Sequence, residues 1–191
     1  DNHTVIGSVK LETCAMLHRA DGPLFSIPRP TVLYNAHKAR GLSSWGRFIE
    51  PMLELFGRQS TFNLIVAPHT KMFRRRSHAV RKRWNTRTTP GILIDTGSDR
   101  CVDMTYTSAA DIYVGDVSSQ VYEFLITPRP CVFLNAHGID WRNNPDFAHW
   151  HLGDVVDDPK DLMAIIHAAP ARHAIYRDRQ VEMASRSLGN R

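Results

Sequence analysis

Five short apolar runs, spaced along the chain, restrict the possible fold more than any other feature of this sequence. They are Thr31–Asn35, Phe62–Ala67, Gly91–Asp95, Asp111–Gly115 and Cys131–Asn135. Each run is rich in β-branched or aromatic residues and ends at small or polar ones, which is typical of strands that are buried on both faces of a parallel sheet. The runs therefore predict five parallel strands.

Segments with helical patterns separate these strands. Ser44–Phe56 carries apolar residues at spacings of three and four, which predicts an amphipathic helix, although Pro51 should kink or split it. Further helices are predicted over Ser118–Ile126, Pro159–His167 and Ala171–Arg186. Strands that alternate with helices predict an α/β fold, a Rossmann-like parallel sheet flanked by helices and joined by right-handed crossovers.

The length of 191 residues suits one well-buried domain and is short for two. We expect an interdomain linker and a first short strand over residues 1–30, a Rossmann-like nucleotide-donor-binding domain over 31–170, and a C-terminal helix and tail over 171–191. No apolar run approaches the roughly 20 residues of a membrane-spanning helix. The chain opens at Asp1 without a signal-peptide pattern, which favours a trimmed cytoplasmic protein over a processed secretory one.

Cysteine and histidine usage indicates neither a disulfide framework nor a metal site. Cys14, Cys101 and Cys131 are odd in number and far apart, which suits a reducing cytoplasm, and the apolar surroundings of Cys131 predict a core residue. His149 and His151 form a His-x-His pair without the carboxylates or cysteines that would complete a metal site. We therefore expect them to pack a loop.

The net charge of +5 is concentrated in one segment. Residues 71–87 hold eight Lys and Arg and no acid, which leaves 16 Lys and Arg against 19 Asp and Glu elsewhere. Such a cluster can bind nucleic acid, an anionic membrane surface or a phosphate-bearing substrate, and a solvated helix face explains it equally well. Nucleic acid is not an expected partner, because no recognition motif accompanies the cluster.

Catalytic motifs of several common enzyme classes are absent from the sequence. It contains no GxGxxG, Walker A, GxSxG or HExxH pattern. Their absence counts against NAD-dependent enzymes, P-loop NTPases, serine hydrolases and zincins.

The residues that directly follow the predicted strands matter most for function, because ligands of parallel sheets bind at the carboxyl ends of the strands. Histidine-bearing turns at His37 and His69 would share one rim with the start of a helix at Ser118 and Ser119. Backbone N–H groups at a helix start bind phosphate, and Glu123, one turn further along, suits a ribose diol. Spacing alone, however, favours an ordinary N-cap and a solvated glutamate.

The strongest family signal is the run GDVSSQVYEF, which follows SAADIYV. It resembles the signature SDILITDYSSVYFD of CDP-glycerol glycerophosphotransferases. VLYNAH, LIVAPHT and PCVFLNAHGIDWRNNPDF resemble further family segments in the same order, and VIGSVKLE at Val5–Glu12 resembles the interdomain linker. The resemblance implies the C-terminal, donor-binding domain of a GT-B-like glycosyltransferase.

The resemblance also assigns roles to individual residues. Ser118 and Ser119 would hold the donor phosphates, Glu123 would bind the ribose, and His69 would be catalytic, assisting departure of the nucleotide phosphate. No metal cofactor is implied. The family has Pro-Thr where this chain has Ala36-His37, so His37 is either an extra phosphate ligand or a loop residue. Thr70 also stands where the family has a proline, and no aromatic that could stack on the base is identifiable. These departures leave the donor open between CDP-glycerol, a UDP-sugar and another nucleotide-diphosphate donor.

The expected function is transfer of glycerol phosphate or a sugar from a nucleotide-diphosphate donor to a cell-envelope or polymer acceptor. Arg74, Arg75 and Arg76 would contact a polyanionic acceptor or the inner membrane face. The general base would lie on a missing N-terminal domain of the same polypeptide, so the chain should bind nucleotide without turning over alone. The alternatives are a nucleotide-sugar epimerase similar to UDP-GlcNAc 2-epimerase and a non-catalytic module that binds a polyanion or nucleic acid.

Overall fold

A computed structural model describes residues 22–188 of the chain. The predicted linker at Val5–Glu12 and Cys14 lie outside the described residues. Six parallel strands form one sheet in the order β3-β2-β1-β4-β5-β6. The strands are β1 (Thr31–Asn35), β2 (Asn63–Val66), β3 (Ile92–Ile94), β4 (Ile112–Gly115), β5 (Cys131–Leu134) and β6 (Asp154–Val156).

Between residues 22 and 188, six α-helices connect or follow the strands. They are α1 (Trp45–Gly57), α2 (His78–Asn85), α3 (Thr105–Ala109), α4 (Gln120–Phe124), α5 (Leu162–Arg172) and α6 (Arg177–Leu188). The described part of the chain therefore has the predicted α/β fold, a Rossmann-like parallel sheet flanked by helices. None of the helices between residues 22 and 188 is long and apolar enough to cross a membrane.

The order of the strands places a switch point in the middle of the sheet. From β1 the chain moves outward through β2 to β3, and it then returns to the other side of β1 to form β4, β5 and β6. Asn35 of β1 is in register with Gly115 of β4 at the carboxyl ends of the two strands. In open α/β sheets the crevice for a ligand lies at this point, because the two crossovers diverge to opposite faces.

The two faces of the sheet bury separate cores. Val32 and Tyr34 of β1 pack on one face with α1 and α5, and Leu33 packs on the other face with α3 and α4. This alternation follows from the two-residue period of a strand. Both faces are covered, which explains why all five predicted strands read as continuous apolar runs.

The sixth strand was not predicted from the sequence. Asp154–Val156 is only three residues long and begins with a half-buried acid, so it lacks the apolar run that marks the other five strands. It pairs with β5 directly after Gly153, where a Cβ would lie 2.2 Å from the backbone oxygen of Cys131. This close approach explains why the strand starts after a glycine.

Helix α1 follows the prediction closely but is not split at Pro51. Phe48, Ile49, Met52 and other members of the predicted stripe are buried against the sheet. The burial of apolar side chains on both sides of Pro51 offsets the one backbone hydrogen bond that proline removes. The helix therefore runs unbroken from Trp45 to Gly57.

Helix α4 is much shorter than the predicted Ser118–Ile126. It covers only Gln120–Phe124, and Leu125 already leaves the helical conformation. The guanidinium of Arg129 donates to the carbonyls of Phe124, Thr107 and Ala110 and lies over the Phe124 ring at 3.8 Å. Arg129 thus terminates both α3 and α4, because it donates hydrogen bonds to the carbonyls at their C-terminal ends.

The C-terminal region forms two helices with boundaries that differ from the predicted ones. A 3-10 turn at Pro159–Asp161, capped by the side chain of Asp158, leads into α5, which continues past the predicted end at His167. Helix α6 docks through Gln180, a fully buried residue whose amide donates to the carbonyls of Arg129 and Leu152. These bonds fix α6 to the face that carries α3 and α4.

Candidate functional site

Two histidines lie side by side at the carboxyl edge of the sheet. Tyr34 of β1 is in register with Val66 of β2, and His37 and His69 each follow three residues later. Backbone pairing continues beyond the strands, since the N–H of His69 donates to the carbonyl of Ala36 at 2.9 Å. The two imidazole rings consequently lie 6.1 Å apart between centroids, nearly perpendicular to each other.

The same local turn fixes both rings. Nδ1 of His37 accepts the backbone N–H of Ala39 at 3.2 Å, and Nδ1 of His69 accepts the backbone N–H of Lys71 at 3.1 Å. An Nδ1 that accepts a hydrogen bond carries no proton in the neutral ring, so the proton resides on Nε2. Both histidines can therefore offer an Nε2–H donor to a ligand at this edge.

Partial burial keeps both rings neutral near pH 7. Burial lowers the pKa of His69 first, and the neighbouring His37, Lys38 and Lys71 lower it further. The pKa of His37 is lowered by burial and by Lys38. A neutral imidazole with a fixed donor can stabilise negative charge on a phosphate oxygen without first losing or gaining a proton.

Asp116, the first residue after β4, organises the switch point. Its carboxylate accepts the N–H of His37 at 2.8 Å and the N–H and hydroxyl of Ser44 at 2.6 and 2.8 Å. Its backbone carbonyl accepts the side chains of His149 and Trp150. Burial raises the pKa of Asp116 to about 6, although the three donated bonds favour the charged form. The acid thereby holds together loops from β1, β4 and β5.

The position of Asp116 changes the expected phosphate site. The backbone N–H groups of His37 and Ser44 at the switch point are taken by an internal carboxylate, so His37 can contribute only its ring to a ligand. Sequence reasoning missed this role. An acid directly after a buried strand, at the end where two crossovers diverge, was the only available signal.

The turn after β4 exposes only one of its two serines to solvent. Ser118 is buried, with its hydroxyl accepting the N–H of Gln120 at 3.3 Å, whereas Ser119 is exposed at the start of α4. The helix that follows has only five residues, so its dipole contributes less than that of the predicted longer helix. Ser119 and the backbone of this turn remain on the same edge as His37, because β4 lies next to β1.

Glu123 lies on the face of the sheet that carries α3 and α4. It is half-buried and lines a crevice too narrow to admit a water molecule, together with Ala67, Arg100, Cys101 and Met104. The crevice is smaller than the roughly 300–1,000 Å³ of ligand pockets. A ribose at Glu123 would therefore require this crevice to widen.

A larger basic cavity opens on the opposite side of the histidine pair. Its volume is about 580 Å³, and its lining includes Lys38, Arg40, Trp45, Arg47, Arg76 and His137. We call it the basic cavity. Arg47 donates to the carbonyl of Ala136 at 3.1 Å, and the ring of His137 contacts the carbonyl of Ser43 at 3.2 Å. These two contacts join the start of α1 and the loop before it to the loop after β5, and they form part of the cavity wall.

The basic segment 71–87 is divided between a turn and a helix. Residues Thr70–Met72 form a 3-10 turn and His78–Asn85 form α2, while Arg74, Arg75 and Arg76 lie exposed between them. Of these three arginines only Arg76 lines the basic cavity. Within residues 22–188, no group of three or more His, Cys, Asp or Glu side chains could hold a metal ion.

The remaining predicted residues have structural surroundings. Cys131 is buried in the core, as predicted, and Cys101 is buried as well. His149 and Trp150 pack on Phe133, and His151 packs on Trp141, so the His-x-His pair holds the loop after β5. A second cavity of about 450 Å³ lies between α2 and the end of β3.

Comparison with known proteins identifies the fold. No family model matches the chain, and no curated protein matches its sequence. A solved structure of the wall teichoic acid polymerase TagF with CDPG superposes with a TM-score of 0.58 at 11% identity, over 94% of this chain and 41% of that one.

Two further structures are similar in the same way. The UDP-GlcNAc 2-epimerase from Neisseria meningitidis bound to UDP-GlcNAc matches with a TM-score of 0.55 at 14% identity, over 85% of this chain and 41% of that one. The glycotransferase of kitacinnamycin matches with a TM-score of 0.52 at 14% identity, over 90% and 47% of the two chains. The chain spans less than half the length of each of these proteins. It shares with them a GT-B-like, Rossmann-type domain fold.

Proposed function

We propose that this domain binds the diphosphate of a nucleotide-activated donor in a transferase that moves glycerol phosphate or a sugar to a cell-envelope or polymer acceptor. The observation that carries the proposal is the pair of neutral Nε2–H donors on His37 and His69, fixed next to the turn after β4. In the proposed complex the diphosphate would lie at this edge of the sheet and accept hydrogen bonds from the two rings and from Ser119. The resemblance of GDVSSQVYEF to the glycerophosphotransferase signature supports the same assignment.

The proposed roles follow from position and protonation. His69 donates from Nε2 to an oxygen of the departing nucleotide phosphate, and His37 and Ser119 bind the remaining oxygens. Ser118 acts from within the turn, where it holds the backbone N–H of Gln120. Glu123 binds the ribose when its crevice opens. No metal takes part in this proposal, since the developing charge is stabilised by hydrogen-bond donors.

The transfer also requires a group that activates the acceptor hydroxyl. We assign that general base to an N-terminal domain of the same polypeptide, which would face the carboxyl edge and complete the cleft. The comparison with proteins more than twice as long supports this division of labour. The protein would then act in the cytoplasm, with the exposed Arg74 and Arg75 able to approach the inner membrane face or a polymer.

Calorimetric titration of the 191-residue chain with CDP, UDP, GDP and ADP tests the proposal. Binding of one nucleotide in preference to the others is the expected result, and its base identifies the donor. Absence of binding to all four at millimolar concentration would overturn it. The epimerase alternative is favoured by the equally close match to UDP-GlcNAc 2-epimerase. Incubation of the longer protein with UDP-GlcNAc separates the two reactions, because only an epimerase changes the sugar without an acceptor.

A further inference from the structure

Ser77 is the only serine or threonine of the chain that directly follows two or more basic residues. The three residues before it are Arg74, Arg75 and Arg76, and all four side chains are exposed to solvent. Carboxylates bind guanidinium groups through two parallel hydrogen bonds, so an acidic groove on another protein can recognise such a run. The segment therefore has the chemistry of a substrate for a serine kinase that selects arginine before the acceptor hydroxyl.

The hydroxyl of Ser77 makes only a weak contact with the helix that follows it. Ser77 is the N-cap of α2, and its Oγ accepts the backbone N–H of Val80 at 3.4 Å. This distance exceeds the roughly 2.7–3.2 Å of an ordinary N–H···O bond. The turn before the serine is closed by the bond from the N–H of Arg76 to the carbonyl of Phe73 at 2.9 Å. Little structure therefore has to open for the segment to extend into a kinase groove.

The start of α2 favours a negative charge that the unmodified sequence does not supply. Backbone N–H groups at the start of a helix lack partners within the helix, and an acidic group there stabilises it. The first turn of α2 contains no acid, and residues 71–87 hold eight Lys and Arg without any Asp or Glu. A phosphate on Ser77 would bring a charge of about −1.5 to −2 to this position.

Arg81 offers a second contact for a phosphate on Ser77. It lies one helical turn later, since its backbone N–H donates to the carbonyl of Ser77 at 3.2 Å. Side chains of a helix lean toward its N-terminus, which directs Arg81 toward the serine. Among residues 22–188, the Nε of Arg81 is shielded from solvent and has no hydrogen-bond acceptor. Because a buried donor without an acceptor is costly, a phosphate oxygen next to Arg81 would be favoured.

Contacts at the start of α2 matter because the helix is loosely attached to the domain. None of its residues is buried, and the cavity of about 450 Å³ separates it from the end of β3. The half-buried Trp84 contacts Trp45 and Phe73 through ring edges. A helix of eight residues is unstable by itself in water, so its order depends on its caps and on such contacts.

We propose that Ser77 is a phosphorylation site for a serine kinase that recognises Arg74–Arg76, and that its phosphate binds Arg81 and the first backbone N–H groups of α2. In the transfer step, Oγ of Ser77 attacks the γ-phosphorus of ATP and forms a new O–P bond. The bond between that phosphorus and the bridging oxygen breaks, and ADP leaves with the electron pair. The hydroxyl proton passes to a carboxylate of the kinase. This inference does not depend on the donor site proposed above.

The first test treats the folded 191-residue chain with ATP and a serine kinase that selects arginine two and three residues before the acceptor. Mass spectrometry should locate the phosphate on Ser77. Arg74→Ala/Arg75→Ala should lower the initial rate at least about tenfold, because bidentate contacts are lost. The control Lys82→Ala/Arg83→Ala removes the same charge after the serine and should lower the rate less than about threefold. Absence of phosphate from Ser77, or equal losses in the two variants, would overturn the proposal.

The second test measures the pKa of the phosphate on Ser77 by phosphorus NMR. Contacts with Arg81 and the helix N–H groups favour the dianion, so the pKa in the folded protein should be at least about 0.5 lower than in the same protein unfolded by urea. Arg81→Ala should remove at least half of this difference. Arg83→Ala, which removes an exposed arginine from the same helix, should remove little of it.

Circular dichroism verifies that both arginine variants remain folded. A phosphate pKa that is the same in the folded and the unfolded protein would overturn the proposed contacts, because a phosphate that remains in solvent gains nothing from folding. Equal effects of Arg81→Ala and Arg83→Ala would also overturn them, since general attraction to the basic segment would then account for the lowered pKa.

Discussion

The carboxylate of Asp116 accepts the backbone N–H of Ser44 at 2.6 Å, and through this bond the end of β4 fixes the start of α1. Both of its oxygens are occupied, since the second accepts the N–H of His37. The acid is almost completely buried and its pKa is raised to about 6. The carboxylate of Asp116 therefore orders the switch point from a buried position, where its charged form loses solvation free energy.

Replacing Asp116 by Asn should produce a stability difference that depends on pH. The folded protein holds the Asp116 proton up to about pH 6, whereas the unfolded chain releases it near pH 4. The free energy of unfolding of the unmodified protein, minus that of Asp116→Asn, should therefore fall as the pH rises from about 4 to about 6. The fall should be roughly 3 kcal/mol at most, and the difference should stay constant above pH 6. Urea unfolding of both proteins between pH 4 and 8 measures this difference. A difference that is constant or rises with pH would contradict the raised pKa.

His69 should contribute to nucleotide binding through Nε2 alone. His69→Ala removes the donor and should weaken binding of the preferred nucleoside diphosphate by about 10- to 100-fold, the value of a hydrogen bond to a charged group. His69→Gln places an N–H near the original Nε2 and should recover most of the affinity, whereas His69→Asn should not. Calorimetry measures all three, with His151→Ala as a control away from the edge. Equal losses for Gln and Ala would show that no donor acts there.

The two histidines of the pair should titrate below the ordinary value. Their pKa values are lowered from 6.5, so protonation occurs only as the pH falls below that value. An anion between the rings stabilises the protonated forms, and pyrophosphate should therefore raise both pKa values and bind more tightly as the pH falls from 7 to 5.5. NMR titration of the ring protons, assigned with His37→Asn and His69→Asn, measures the shifts. Histidines that titrate at or above 6.5 in the free chain would disprove the neutral pair.

Gly153→Ala should weaken the attachment of β6. Its Cβ would lie 2.2 Å from the backbone oxygen of Cys131, and backbone cannot move aside as a flexible side chain can. The expected loss is about 1–3 kcal/mol or more of unfolding free energy, because the overlap forces the strands apart. Gly41→Ala is the control, since nothing lies within 4 Å of its Cβ position. Chemical denaturation of both variants measures the losses, and equal stability would show that β6 tolerates the displacement.

Gln180→Met should loosen helix α6 while preserving its volume. The substitution leaves the carbonyls of Arg129 and Leu152 buried without their donor. Each unsatisfied group costs about 1–3 kcal/mol, so the loss of the donor to two carbonyls should lower the free energy of unfolding by about 2–6 kcal/mol, which thermal or urea unfolding measures. The neighbouring exposed Arg179 offers a control, because Arg179→Ala should change stability by less than about 0.5 kcal/mol. An unchanged stability of Gln180→Met would mean that α6 is held by its apolar contacts alone.

Local sequence patterns sufficed for most of the fold. Thr31–Asn35 was predicted at its observed bounds, two of the other predicted strands are one residue too long at one end, and two are one residue too long at both ends. These strands are buried on both faces, so their apolar runs are strong signals. Asp154–Val156 escaped prediction because an edge strand of three residues needs less apolar surface.

The candidate site was predictable only in part. The sequence places His37 and His69 after strands, but their proximity depends on the register of Tyr34 with Val66, which no local pattern encodes. The same holds for the basic cavity. The sequence predicts Arg47 only as part of an amphipathic helix. That Arg47 and Arg76 line the same cavity depends on the packing of loops that are distant in sequence. Long-range contacts of this kind follow from topology.

The histidine turns carry a consequence for protein engineering. Each ring is oriented by a hydrogen bond from the backbone N–H two residues later in the sequence, so three consecutive residues are enough to fix its orientation. Transplanting Ala36–Ala39 and Pro68–Lys71 onto adjacent parallel strands of an unrelated scaffold should preserve the orientation of both rings. The strand spacing of about 4.8 Å, which every parallel sheet supplies, then brings the rings together if the register of Tyr34 with Val66 is reproduced.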